Sequence, residues 1–313
     1  MSEQKPERQN SEGTARGYFS DRAVVVTGAS SGIGYDVAMA FARQGAEVGL
    51  IARRKQNLEE LAARITAAGG QPLVLQCDVT RRAEVRAAID EAVRTFGQID
   101  ILVNSAGLLI PGTLDEMRPE DLERMMAVNL YGTVHAIQAV LPEMKSNRTG
   151  RIINVASLAG RRGLSPLGGY SASKFALVGL TEALRVELFG SGVWVSLVMP
   201  GMIDTPMAQE ARNNKMLRAM PGIAAMPVRW VTWAVLAAAV FGLPEVGVPP
   251  GAGTVEKLAA LFPTATDMFL NVGTRIAGAL SSRFASDEQP APAREKLVRA
   301  ARKSEPSVKT ASN

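Results

Sequence analysis

Residues 168–175 read GGYSASKF and set a phenol, Tyr170, four residues ahead of an ammonium, Lys174. Positions i and i+4 share one face of a helix, so the two side chains are expected to be neighbours. A free tyrosine titrates near ~10, and a nearby cation favours the phenolate. Bringing the phenol toward neutrality takes about 3 units, or roughly 4 kcal/mol. So tuned, a tyrosine gives or takes a proton at physiological pH. The small residues between the pair leave room for a cofactor. Ser157 stands thirteen residues earlier, where its hydroxyl can polarise a carbonyl. Asn129, in MAVNLYG, is a poor helix former inside a helical pattern, which points to a local kink, a held water or a solvated position.

The elements that must position these groups follow a rhythm. Apolar runs at 23–27, 46–52, 72–79, 99–107, 150–157 and 193–200 read as strands, several of them β-branched as in strands buried on both faces. Helical patterns lie between them, at 35–45, 56–68, 81–96, 119–144 and 170–189. Six strands alternating with helices predict a doubly wound parallel α/β sheet, whose ligands bind at the carboxyl ends of the strands. Beyond 200 the rhythm stops. Residues 202–228, rich in Met, Pro and Gly, read as a lid, 229–242 as an apolar helix and 244–250 as a short strand. Two weaker helices are expected over 254–284. The reading is one domain over 21–285 with a helical C-terminal extension, between polar, disordered tails at 1–20 and 286–313; a short charged helix at 293–303 is one option within the last.

The first strand end carries TGASSGIG. Gly28, Gly32 and Gly34, with Ser30, Ser31 and Ile33 between them, form a loop at the start of a helix. Such a loop lets backbone approach a pyrophosphate, and a helix N-terminus favours the anion; taken alone, it is also a plain glycine turn. The second strand end lacks the carboxylate that holds an NAD ribose and has Arg53 and Arg54 instead. Two guanidiniums suit a 2′-phosphate, so NADP(H) is expected ahead of NAD(H); the alternative is a solvated basic turn. One ammonium plus an oxidised nicotinamide ring would meet the cost of tuning Tyr170. Asp78, beside Val79 at the third strand end, reads either as an acceptor for an adenine amino group or as a cap for the next helix.

TGASSGIG, NSAG at 104–107, Asn129, Ser157, YSASK and Pro200–Gly201 match, in order and spacing, the short-chain dehydrogenase/reductase family, which the chain resembles over about residues 21–206. The resemblance implies a Rossmann fold and hydride transfer between a nicotinamide and a carbonyl or secondary alcohol. It implies that Tyr170 is the proton donor, that Lys174 binds the nicotinamide ribose and lowers the phenol's pKa, and that Ser157 orients the carbonyl. Asn129 would hold a relay water behind Lys174. Asn104, Ala106 and Gly107 would line the adenosine side, and Ile203 and Thr205 would contact the carboxamide. Ser105 replaces a frequent second Asn of the family. Ser30 and Ser31 stand where some NADP-binding members carry a basic residue. The Gly-rich ending tied to tetramer contacts is missing.

Composition narrows the alternatives. One histidine, His135, and one cysteine, Cys77, argue against a His-ligated zinc centre, a Ser-His-Asp triad or an internal disulfide, and no metal site is expected. A lone cysteine fits a reducing compartment, and the N-terminus has no apolar core of a signal peptide, so a cytoplasmic location is expected. The net charge of +5 is dispersed, which argues against nucleic acid. The apolar faces of 170–189 predict a homodimer or homotetramer. Association of 254–284 with a membrane surface is less favoured than packing over the pocket or against a subunit. Met199, Met202, Met207, Met216, Met220 and Met226 suggest an adaptable apolar pocket for a bulky carbonyl compound or alcohol, or else core filling. Arg161 and Arg162 read as carboxylate binders or as a solvated turn. A non-catalytic nucleotide sensor or scaffold on the same fold is the competing function.

Overall fold

The β-branched and aliphatic run Ala23–Thr27 is buried at every position and forms β1, the centre of the sheet. A computed structural model describes residues 17–211, 225–268 and 272. Around β1 stand β2 (Glu47–Ala52), β3 (Gln71–Gln76), β4 (Ile101–Asn104), β5 (Gly150–Val155), β6 (Val193–Pro200) and β7 (Glu245–Val248). Their order is β3-β2-β1-β4-β5-β6-β7, and every pairing is parallel. The order reverses between β1 and β4, and a crevice opens there at the carboxyl ends. The doubly wound parallel sheet is the expected one, and the short strand read at 244–250 is its seventh member.

Period-two alternation sends successive side chains to opposite faces, and each face meets its own helices. Val24, Val26, Leu50, Ile153 and Val198 pack with α1 (Gly32–Arg43), α2 (Lys55–Ala67) and the apolar helix α8 (Arg229–Phe241). Val25, Leu102, Ile152 and Val195 pack with α3 (Arg82–Phe96), α5 (Gly132–Ser146) and α6 (Gly168–Glu187). Leu50, Leu102, Ile152 and Ile153 are fully buried, each worth about 1.5–3 kcal/mol of transfer free energy.

The expected single helix over 119–144 is interrupted. It runs as α4 (Pro119–Met126), a π-turn at Ala127–Tyr131, and α5. Asn129 sits within the π-turn, so the poor helix former marks the kink. After β6 come α7 (Pro206–Ala211), a bridge between Ile203 and Met226, then α8, β7 and α9 (Ala252–Ala259). The tail 1–16, lid residues 212–224, 273–284 and the C-terminal tail with its charged helix lie outside the described residues.

Candidate active site

Register sets the first layer of the site. Thr27 of β1 pairs with Asn104 of β4, which pairs with Asn154 of β5. The row is polar and buried, so its groups bond one another. Asn104 donates to Asn154 Oδ1 at 2.9 Å, and Asn154 donates to Thr181 of α6 at 3.0 Å. Thr27 Oγ1 accepts from the backbone N–H of Ser105 and Ala106 at 3.1 and 3.2 Å. Asn104 is therefore a buried strut between strands and does not line the cleft.

Above that row lies a cleft of about 450 Å³. It is lined by the glycine loop from Gly28 through Ser30, Ser31, Gly32, Ile33 and Gly34, and by Arg53, Arg54, Asp78, Val79, Ala106, Gly107 and Thr205. The loop needs its glycines. Gly28 has φ +73°, and a Cβ there would stand 2.8 Å from the backbone of Ala106. A Cβ on Gly34 would stand 2.5 Å from the carbonyl oxygen of Gly28, so helix α1 starts flush against β1. Ser31 is the N-cap of α1 in extended conformation, and its side chain makes no cap hydrogen bond. The helix N-terminus thus presents its dipole to the cleft.

Arg54 reaches across this loop, donating to Ser30 Oγ at 3.0 Å and Ser31 Oγ at 2.8 Å. Its guanidinium is fixed at the cleft edge by the two serines. Asp78 stands opposite. Its Oδ1 accepts from Thr80 N–H at 3.0 Å and Thr80 Oγ1 at 2.8 Å. Burial raises its pKa, but the Thr80 hydrogen bonds, Arg53 and Arg81 outweigh it and hold the carboxyl below its usual range. One oxygen of Asp78 braces the turn into α3, and the residue faces the cleft. Helix N-terminus, glycine cradle and two guanidiniums form a donor set that fits an anionic dinucleotide.

The groups expected to carry the chemistry gather past Gly107. Ser157 follows β5, caps the 3-10 turn Leu158–Gly160 by accepting from Ala159 N–H at 3.1 Å, and reaches Pro200 O at 3.3 Å. Tyr170 and Lys174 share one face of α6, with the Lys174 Nζ 5.8 Å from the Tyr170 ring centroid. Lys174 is buried and donates to the carbonyl of Val155 at 3.0 Å. Burial pulls its pKa down to about 8. The half-buried Tyr170 is pushed up to about 12 by burial of its phenol, against a hydrogen bond from Ser157 that lowers it. The expected tuning draws on the ammonium together with an oxidised nicotinamide ring; in the protein by itself burial dominates at the phenol. Proximity was read rightly, but the ammonium is turned to Val155 and desolvation dominates.

Asn129 is fully buried. Its Oδ1 accepts from Leu108 N–H at 2.7 Å, while Nδ2 donates to Leu108 O at 2.9 Å and Ser173 Oγ at 2.8 Å. Both amide protons are spent on protein. Ser173 in turn donates to Tyr170 O at 2.7 Å, so the π-turn is stitched to the first turn of α6. Leu109, Leu164, Leu167 and Ala211 form an apolar cluster against Tyr170. Pro200 and Ile203 are buried, Gly201 contacts Leu158, and none of the three lines the cleft. Met207 does line it, close to Gly107, whereas Met199 is core and Met226 packs on Gly201. Met216 and Met220 lie outside the described residues.

A family model described as short chain dehydrogenase matches residues 22–216. The chain belongs to the short-chain dehydrogenase family. Among relatives of this short-chain dehydrogenase, an uncharacterised oxidoreductase of Staphylococcus saprophyticus is 43% identical over 193 residues, 61% of this chain and 82% of that one. The ketoacyl reductase HetN of a Nostoc strain is 35% identical over 195 residues, 62% of this chain and 68% of its own. The glycine betaine reductase ATRR of Emericella nidulans is 38% identical over 192 residues, which are 61% of this chain and 15% of that one. An oxidoreductase using a nicotinamide cofactor is the function these relations support.

Sequence reasoning missed several groups in this short-chain dehydrogenase. Thr27 was legible, as the one polar residue closing a buried strand. Ser173 carries no spacing signal for its bond to Asn129, which comes from a π-turn 44 residues away. Cys77, Leu108 and Arg124 join the cleft only through tertiary packing. Arg161 and Arg162 are neither free nor solvated: Arg161 pairs with Glu182 and Glu245, and Arg162 with Asp267.

Proposed function

We propose that the protein is an NADP(H)-dependent oxidoreductase acting on a bulky, mainly apolar carbonyl compound or the matching secondary alcohol. The observation that carries this reading is the buried Lys174 ammonium 5.8 Å from the Tyr170 ring, on the helix against which the Ser157 turn packs, beside the glycine-lined cleft and with an apolar cluster against the phenol. When bound, the dinucleotide supplies the hydride. The glycine loop and the N-terminus of α1 would hold its pyrophosphate, Arg53 and Arg54 its 2′-phosphate, and Lys174 its nicotinamide ribose. In the reducing direction, Tyr170 gives its phenolic proton to the carbonyl oxygen while Ser157 Oγ donates a hydrogen bond to the same atom. Developing charge on that oxygen is stabilised by fixed donors in a site shielded from water. Lys174, with a pKa near 8, is the cation beside the phenol as it loses its proton. Asn129 acts by fixing the Leu108 backbone and the start of α6.

Leu109, Leu164, Leu167 and Ala211 favour an apolar substituent beside the carbonyl. A relative named ketoacyl reductase is consistent with that choice of group. The described start of the Met-rich segment after β6 is the cleft side of the lid, with Thr205, Pro206 and Met207 lining the cleft. Among the described residues no helix is long and apolar enough to cross a membrane, and we place the protein in the cytoplasm as a homo-oligomer formed through α6. The test is a chain-length series of aliphatic ketones with NADPH. kcat/KM should rise with apolar size, and Met207→Ala should flatten the rise. Better turnover of small polar carbonyls would refute the substrate class.

A further inference from the structure

We infer that Arg161 is a positioning residue for this reaction: it locks the turn that carries Ser157 to the helix that carries Tyr170 and Lys174, and draws helix α9, which follows β7, into the same brace. The inference rests on the roles just given to Ser157 and Tyr170.

Ser157 opens a 3-10 turn of three residues, and Arg161 closes it. A single short turn has little stiffness of its own, so its orientation depends on what holds it. Its closing end is held first by backbone packing. A Cβ on Gly160 would lie 2.8 Å from the carbonyl oxygen of Lys174 and 3.0 Å from Val178 Cγ2, so the turn rests on α6 at the level of the catalytic lysine. The same end is held next by charge. The Arg161 side chain is 17% exposed, and its Nη2 meets Glu182 of α6 at 2.5 Å and Glu245 of β7 at 2.9 Å. Lys257 of α9 pairs with the same Glu245 oxygen at 2.9 Å. Two cations and two carboxylates thus balance, and they join four elements: the Ser157 turn, α6, β7 and α9.

Arg161 Nε is buried without a hydrogen-bond partner. The guanidinium is therefore held in a dry position by its ion pairs, and loss of a partner is felt more strongly there than at a solvated pair. Glu182 lies two helical turns beyond Lys174, so the Arg161–Glu182 pair fixes the turn along the same rigid helix that sets Tyr170. Any slippage at Arg161 changes the distance between the Ser157 hydroxyl and the phenol. Arg162 adds a parallel tether from the same loop to Asp267 and, at 3.4 Å, to the carbonyl of Pro263. The C-terminal segment after β7 is on this view a buttress of the active site, and its contacts leave the arginines no role as ligands of a substrate carboxylate.

The test is a double-mutant cycle on the full chain, with NADPH and a medium-chain aliphatic ketone as probe. Arg161→Met should lower kcat about tenfold, the scale expected for a slightly misplaced reacting group, with KM for NADPH unchanged. In a Ser157→Ala background the same change should lower kcat by less than about twofold, because coupled groups are not additive. Arg161→Lys should recover part of the loss. Hydrogen exchange, which needs no substrate, should quicken at 158–162 in Arg161→Met while 168–187 stays protected. If Arg161→Met does not fold, Glu182→Gln, which keeps the Glu245 pair and removes the tie to α6, replaces it with the same expectations. Equal loss in both backgrounds, or unchanged exchange at 158–162, overturns the inference. A Ser157→Ala enzyme with unchanged kcat overturns the reading of Ser157, and this inference with it.

Discussion

Lys174 is 4% exposed, and burial lowers its pKa from 10.5 to about 8. Below pH 8 both folded and unfolded chains carry the charge, and the folded state bears the whole cost of burying it. Above pH 8 the folded protein releases the proton first, and the cost is relieved until the unfolded lysine also titrates. Wild-type stability should therefore rise with pH across that window relative to Lys174→Met, which has no proton to lose. The span from 10.5 to about 8 corresponds to about 3 kcal/mol at its limit, most of which should be recovered between pH 7 and pH 10. Tyr170, raised to about 12, loses its stabilising contribution only above pH 10 and is common to both proteins, so it cancels. The assay is urea unfolding of both proteins at pH 7, 8, 9 and 10, taking the difference at each pH. A wild-type curve that stays parallel to that of Lys174→Met, or falls below it toward pH 10, would show that the ammonium is not desolvated as the structure has it.

Arg54→Ala should raise KM for NADPH at least about tenfold, since one charge-assisted contact is worth about 1.5–3 kcal/mol, and leave NADH use little changed. Arg53→Ala should act in the same direction, and equal affinity of the wild type for NADH and NADPH would contradict both. Phe175 is 43% exposed on α6 next to Ala172 and Gly179, so Phe175→Glu should convert the oligomer to monomer by light scattering; a wild-type monomer at micromolar concentration would refute the interface.

Sequence periodicity located the strands because each is a short apolar run whose burial needs no long-range information. The π-turn was signalled by Asn129, whose low helix propensity marks the kink, though the three bonds it makes to Leu108 and Ser173 come from distant chain. The i, i+4 rule placed Lys174 by Tyr170 correctly but said nothing of depth, and depth decides the phenol's pKa here. Asn104 illustrates the opposite failure. A motif put it at the cofactor, while register put its side chain on Asn154. Arg161 and Arg162 read equally as carboxylate binders or a solvated turn because their carboxylate partners lie 21, 84 and 105 residues away.

The central claim is that Tyr170 supplies the proton while the cleft beside it holds the cofactor. Its most direct test is Tyr170→Phe, measured for both NADPH binding, by fluorescence titration, and ketone-dependent NADPH oxidation. The account predicts an NADPH Kd within about twofold of wild type and turnover reduced at least ~100-fold, the contribution expected of a positioned general acid. Turnover that survives the loss of the phenol would contradict it.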